Sequence, residues 1–191
     1  MTLKTTFIGL CLFASTNVMA AWQLDNSSSS LSYVSTKNSA VAEVNYFTRM
    51  QGTVAEQGNA ELAIDLTSVE TNIPIRNERT KKHLFEVNKF SSAAITTKFD
   101  SELLRGLKSG QSVTAKLPFT LTLHGKEQSV DAEVRITKLA DRLIVSSMSP
   151  IVIYAASFDL VKGIETLRTI AKLPSIATAV PVNFNLSFNK E

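Results

Sequence analysis

Cysteine and histidine are almost missing from this 191-residue chain, which has one Cys at position 11 and two His at 83 and 124. A disulfide framework, a thiolate zinc site and the paired histidines of an H-E-x-x-H helix are therefore excluded. Glycine is scarce too, at seven residues, and no G-x-S-x-G elbow, P-loop or G-x-G-x-x-G fingerprint occurs. Hydrolase, NTPase and dinucleotide-enzyme classes lose their usual sequence support. Charge of one sign does not accumulate: twenty Lys and Arg against seventeen Asp and Glu leave a net +3, with no basic tract suited to nucleic acid. Nor does any apolar run reach the roughly 20 residues of a membrane-spanning helix.

What is present begins with an unusual leader. Lys4 is the only charge in the first twenty residues, an apolar run follows from Phe7 to Ala14, and small residues stand at Val18 and Ala20. This three-part pattern is that of a secretory signal peptide cleaved after Ala20, so residues 1–20 are expected to be removed and the protein to be exported. Cys11 leaves with them. The hydrophobic stretch continues through Leu12 and Phe13 past that cysteine, which argues against a lipoprotein anchor. The remaining chain, 21–191, is long enough for one domain with a core of its own.

Its dominant signal is alternation with a period of two, the mark of strands with one apolar face. Val113, Ala115, Leu117, Phe119, Leu121 and Leu123 share one parity, and Thr114, Lys116, Pro118, Thr120, Thr122 and His124 the other. Past Gly125 the pattern resumes with Val130, Ala132, Val134 and Ile136, which predicts a long antiparallel hairpin. Shorter stripes run through Leu62, Ile64 and Leu66, through Ile95, Thr97 and Phe99, through Leu143 and Val145, and through Val182, Phe184, Leu186 and Phe188. Segments 30–37 and 43–54 complete roughly eight strands, favouring an all-β sandwich or barrel. Periodicity alone does not choose between a filled sandwich and a barrel with a cavity.

Two segments read as helical. Residues 77–87 are highly charged, with Asn77 as the expected N-cap of a short surface helix. Residues 159–173 place Leu160, Ile164, Leu167 and Ala171 on one face, between an expected cap at Asp159 and a stop at Pro174. Gly163 inside that helix costs about 1 kcal/mol relative to Ala.

The chain carries, in order, Trp22-Gln23-Leu24-Asp25, Leu31-Ser32-Tyr33, Glu43-Val44 with Phe47 and Gly52, and the block from Ile64 to Thr71. Ile75-Arg76-Asn77-Glu78-Arg79, His83-Leu84-Phe85-Glu86, Phe119 to Gly125, Leu173-Pro174-Ser175-Ile176 and Val180-Pro181-Val182 follow. In this order and spacing these residues resemble the YceI family. The resemblance implies a periplasmic, eight-stranded antiparallel, lipocalin-like barrel with one or two short connecting helices, holding a polyisoprenoid or quinone-like lipid in an apolar lumen. On that reading the lumen is lined by Leu62, Ile64, Phe99, Leu117, Phe119, Leu121, Val134, Ile136, Phe184 and Leu186. The basic group around Arg76, Asn77 and Arg79, with Lys81 and Lys82, is the candidate contact for a head group, or else a solvated helix surface. Where the family often has Asp-Phe-Gly, this chain has Ser157-Phe158-Asp159.

Three functional classes remain at this level. A carrier needs an apolar cavity; an enzyme acting on the lipid needs convergent polar groups inside the barrel; a structural protein has a filled core and binds no small molecule. No catalytic residue, cofactor or metal is expected, the partner is the lipid, and a homodimer is neither required nor excluded by the pattern.

Overall fold

A computed structural model describes residues 20–191. The expected leader lies outside the described residues except for Ala20, which already belongs to the first strand. Twelve strands form a single sheet: β1 (Ala20–Leu24), β2 (Ser30–Lys37), β3 (Val41–Phe47), β4 (Met50–Ala55), β5 (Asn59–Asp65), β6 (Val69–Glu70), β7 (Ser92–Lys98), β8 (Ser112–Leu123), β9 (Lys126–Lys138), β10 (Arg142–Ser147), β11 (Ile151–Tyr154) and β12 (Ala179–Lys190).

Several of these are halves of one longer strand. β1 and β2 lie in line along one side of β12, and β10 and β11 along the other. β3 and β4 continue each other in the same way, as do β5 and β6. Counted as such staves, the chain makes eight in sequential order, each antiparallel to the last. The ring closes where Trp22, Gln23 and Leu24 pair with Lys190, Asn189 and Phe188. The protein is a closed eight-stranded antiparallel barrel with a few short helices. Closure removes the sheet edges that an open arrangement would leave unpaired.

The breaks explain why 43–54 is not the single strand its composition suggests. Asp25 caps a 3-10 turn at Asn26–Ser28, accepting from the backbone N–H groups of Ser27 and Ser28. Those hydrogen bonds, led by the Ser27 hydroxyl, lower its carboxyl to about 2. Asp65 caps a second 3-10 turn at Leu66–Ser68, and burial, which raises its pKa, is outweighed by hydrogen bonds from Thr67 and Arg49. Between them runs Thr48-Arg49: Asn26 Nδ2 donates to Thr48 O at 2.9 Å, and Arg49 N donates to Ser68 Oγ at 3.0 Å. Three neighbouring staves thus bend at one level, stitched by short polar side chains.

Antiparallel order sorts the connections to two ends. The upper end carries loop 38–40, the helical connection 71–91, the hairpin tip at His124 and Gly125, and the segment 155–178. His124 and Gly125 both have positive φ, at 53° and 73°, as a two-residue I′ hairpin turn requires. The lower end carries 56–58, 99–111 and 139–141, including the short helix α2 (Glu102–Arg105).

The two expected helices form, with different boundaries. α1 (Pro74–Arg79) starts three residues early because Pro74 supplies a favoured N1 residue, and it continues as a π-helical turn over Thr80–Leu84. Asn77 is therefore not a cap but sits inside the helix, buried. α3 (Val161–Ile170) begins after Asp159, which does not cap it: Asp159 adopts the left-handed conformation at φ 55°. Ala171 is exposed, so the apolar stripe ends sooner than the sequence suggests. Among the described residues no helix is long and apolar enough to cross a membrane.

Candidate functional site

Inside the barrel lies a cavity of about 220 Å³. A single water needs roughly 10–15 Å³ of such space, so the cavity far exceeds a packing defect. It runs from Leu84, Leu160 and Ile164 at the upper end to Phe99 and Leu104 at the lower, and nearly all its lining side chains are apolar. Tyr33, Thr97 and Glu61 are the polar residues on its border, and Glu61 is exposed on the outward parity of β5. Burial raises the Tyr33 phenol above its ordinary value more than the nearby Arg76 charge lowers it, so the wall stays uncharged at Tyr33.

Period-two alternation is what builds the wall. Along β8, the even-numbered partners such as Lys116 and Thr122 face water, while Leu117, Phe119, Leu121 and Leu123 face the cavity. Lys116 pairs with Asp131 of β9 on the outside, at 3.2 Å. Of the ten residues read from sequence as lumen-facing, Leu62, Ile64, Phe99, Leu117, Phe119, Leu121, Ile136, Phe184 and Leu186 border the cavity. Val134 does not. It is 0% exposed and packs within the wall core, because its inward parity meets neighbouring side chains there instead of open space. The cavity is also bordered by residues outside those ten: Tyr33 and Phe47, whose rings lie 5.6 Å apart, and Leu84, Leu160 and Ile164. Parity with Leu31 was the available signal for Tyr33, and the stripe on α3 was the signal for Leu160 and Ile164.

Those last residues belong to a lid over the upper end. Phe158, 1% exposed, anchors it together with Ala155, Leu160 and Ile164, packed against Leu84, Leu121, Leu123, Ile153 and Ile176. α3 crosses the π-helical turn at Gly163, where an added Cβ would stand 2.6 Å from His83 O and 2.9 Å from Leu84 Cα. The glycine is there for close approach. His124, at the hairpin tip, pins the same region: its Nε2 lies 2.8 Å from Glu86 Oε2 and its Nδ1 3.2 Å from Phe158 O. Asp159, the last residue of Ser157-Phe158-Asp159, needs a left-handed backbone that glycine adopts without strain and Asp tolerates.

At the rim above the apolar wall, β2 and β3 contribute inward polar residues. Asn45 is buried and donates from Nδ2 to Ser35 Oγ at 3.1 Å. Glu43 is ion-paired with both Arg76 and Lys37, and Arg76 also donates to Thr71 O. The Nε of Arg76 is buried with no hydrogen-bond partner among the described residues. Hydrogen bonds from Arg76 and then Lys37 hold the Glu43 carboxyl below its ordinary 4.5. Its stabilisation is thus complete above pH 4.5 and fades as pH falls through the lowered value. Thermal unfolding between pH 7 and 3 should show a shallower acid-side loss in Glu43→Gln than in the wild type; identical slopes would remove Glu43 from this role.

The three head-group candidates part company. Arg76 reaches the rim, half-buried. Arg79 makes no ion pair among the described residues. Asn77 is committed to the fold: its Oδ1 accepts from Thr71 N at 2.8 Å and from Thr71 Oγ1 at 2.6 Å, and its Nδ2 donates to Glu70 at 3.0 Å. Both polar atoms of its side chain are thus engaged within the fold. Asn77→Leu should cost about 2–3 kcal/mol by stranding the buried Thr71 N–H. A urea midpoint unchanged from wild type would contradict this. Among the described residues no group of three or more His, Cys, Asp or Glu is placed to hold a metal ion.

A closed, sequential barrel with an apolar lumen and a helical lid defines the class. The profile of the YceI-like domain matches residues 22–188, and the chain belongs to that family. Among solved structures it is similar to a polyisoprenoid-binding domain from Saccharophagus degradans implicated in plant cell wall breakdown, at 38% identity and a TM-score of 0.88. That likeness covers 91% of this chain and all of the other. Burkholderia cenocepacia BcnA shares the fold at 19% identity and TM-score 0.68, covering 86% of this chain and 98% of that one. A Campylobacter jejuni YceI protein does so at 15% and 0.57, covering 77% and 84%. No curated protein sequence matches the chain.

Proposed function

We propose that the protein holds a long isoprenoid or quinone-like lipid in the barrel and serves as its periplasmic carrier or reservoir. The observation that carries this reading is the apolar cavity that follows the barrel from lid to base. Burying a CH₂ group is worth about 0.8 kcal/mol, so the ten carbons of two isoprene units give about 8 kcal/mol before the cost of ordering the chain. A few units reach micromolar affinity, which needs about 8 kcal/mol net. The relative from Saccharophagus degradans is described as polyisoprenoid-binding, and its 38% identity supports the same ligand class. The leader-like pattern of residues 1–20 supports export.

Arg76 and the neutral Tyr33 hydroxyl are the polar groups best placed to meet a head group, since Arg76 borders the rim and Tyr33 the lumen. No catalytic role is assigned to either. The test is titration of the delipidated protein with a long-chain polyprenol, comparing wild type with Leu121→Trp. Leu121 borders both lumen and lid. The larger ring occupies ligand space, so binding should weaken at least about tenfold while the fold persists. Equal binding by a well-folded variant would place the lipid outside the lumen and overturn this reading, and absence of binding by either protein would favour the filled-core reading.

A further inference from the structure

The two ends of the barrel differ in charge. Connections at the upper end, 71–91 and 155–178, hold eight Lys and Arg against four Asp and Glu. Those at the lower end, 56–58, 99–111 and 139–141, hold two against four. At the upper end every acid is already engaged: Glu78 with Lys81, Glu86 with His124, Asp159 with Lys126 and Glu165 with Arg168. Arg79, Lys82, Lys162 and Lys172 have no acidic partner among the described residues. The excess positive charge of the molecule is therefore concentrated beside the lid.

Exposed apolar side chains accompany these cations. Ile73 and Ile75 flank Pro74 at the start of α1, with Ile75 57% exposed; Tyr154 at the end of β11 is 61% exposed, and Val161 opens α3. Ile75 and Arg79 stand at positions i and i+4 of α1, on one side of it, and Lys82 follows, exposed, in the π-helical turn. Asn77 and Thr80 occupy its buried side. A helix edge that combines solvent-exposed isoleucines with unpaired cations is suited to a bilayer interface, where apolar tips enter the acyl boundary and cations meet anionic head groups.

We infer that the lid end of the barrel docks on an anionic membrane surface through α1 and the start of α3. Docking turns Leu84, Leu160 and Ile164, which cap the cavity, toward the bilayer, so that a lipid passes between membrane and lumen with little exposure to water. This last step rests on the carrier reading; docking itself does not.

The test is cosedimentation of the protein with phosphatidylcholine vesicles containing or lacking phosphatidylglycerol. Binding is expected only to the anionic vesicles, and added salt should reverse it by screening. Arg79→Glu with Lys82→Glu should reduce it by about fivefold or more per site, and Ile75→Ser should reduce it as well. Arg105→Glu with Lys108→Glu, at the opposite end, should leave it unchanged. Binding indifferent to vesicle charge, or lost equally with the lower-end variant, overturns the proposal. Polyprenol uptake from solution is measured in parallel: a protein that takes up lipid but does not sediment loses the docking surface and keeps its carrier role. One that sediments without uptake keeps the docking surface and loses the lipid.

Discussion

Gly163→Val is expected to loosen the lid and to lower stability by about 1–3 kcal/mol, the usual cost of forcing extra carbons into a packed contact. The sign is informative because propensity argues the other way. Glycine within a helix costs about 1 kcal/mol relative to alanine, so Gly163→Ala at an open site would stabilise. Here the new Cβ meets backbone atoms, His83 O at 2.6 Å and Leu84 Cα at 2.9 Å, and neither can swing aside as a flexible side-chain tip would. Even alanine should therefore destabilise, and valine more. Chemical denaturation measures the loss, and the release rate of a bound lipid should rise in parallel. A more stable Gly163→Ala protein would mean that α3 does not press on the π-helical turn.

Phe119→Asp should be more damaging. Phe119 faces the cavity between Leu117 and Leu121, with no basic residue on the wall to pair with a carboxylate. Truncating a buried Phe costs about 3–5 kcal/mol, and an unpaired carboxylate in an apolar lumen adds a desolvation cost. The variant should lose lipid uptake and unfold well below the wild-type temperature, whereas Phe119→Leu should stay close to it. Uptake by Phe119→Asp at wild-type affinity would put position 119 on the outer face.

Alternation made the wall legible from sequence, because a buried strand face leaves a period of two in which one misplaced residue flips the pattern. The pairing of Leu117 with Ala132 and Phe119 with Val130 follows that reading. What alternation does not encode is where the inward face meets space and where it meets another side chain. Val134 and Phe119 have the same pattern, yet one is sealed in the wall and the other borders the lumen. That distinction depends on what lies across the barrel. Polar devices were hidden for a related reason: Asn77 has the composition of a cap, but its partner Thr71 is reached only once β6 and α1 are folded together. Gly163 likewise looked like a local defect until the segment it touches was in view. Ser157-Phe158-Asp159 departs from the family pattern in sequence, and the structure shows that Asp159 keeps the left-handed backbone that a glycine would adopt there.

The central claim, that the lumen holds an isoprenoid-type lipid, is tested most directly by native mass spectrometry of the protein purified without detergent, followed by organic extraction. A stoichiometric polyprenyl or quinone species, lost from the Leu121→Trp variant, is the result expected. Protein that is empty as purified and also takes up no added polyprenol would contradict the claim and leave a barrel whose lumen serves packing alone.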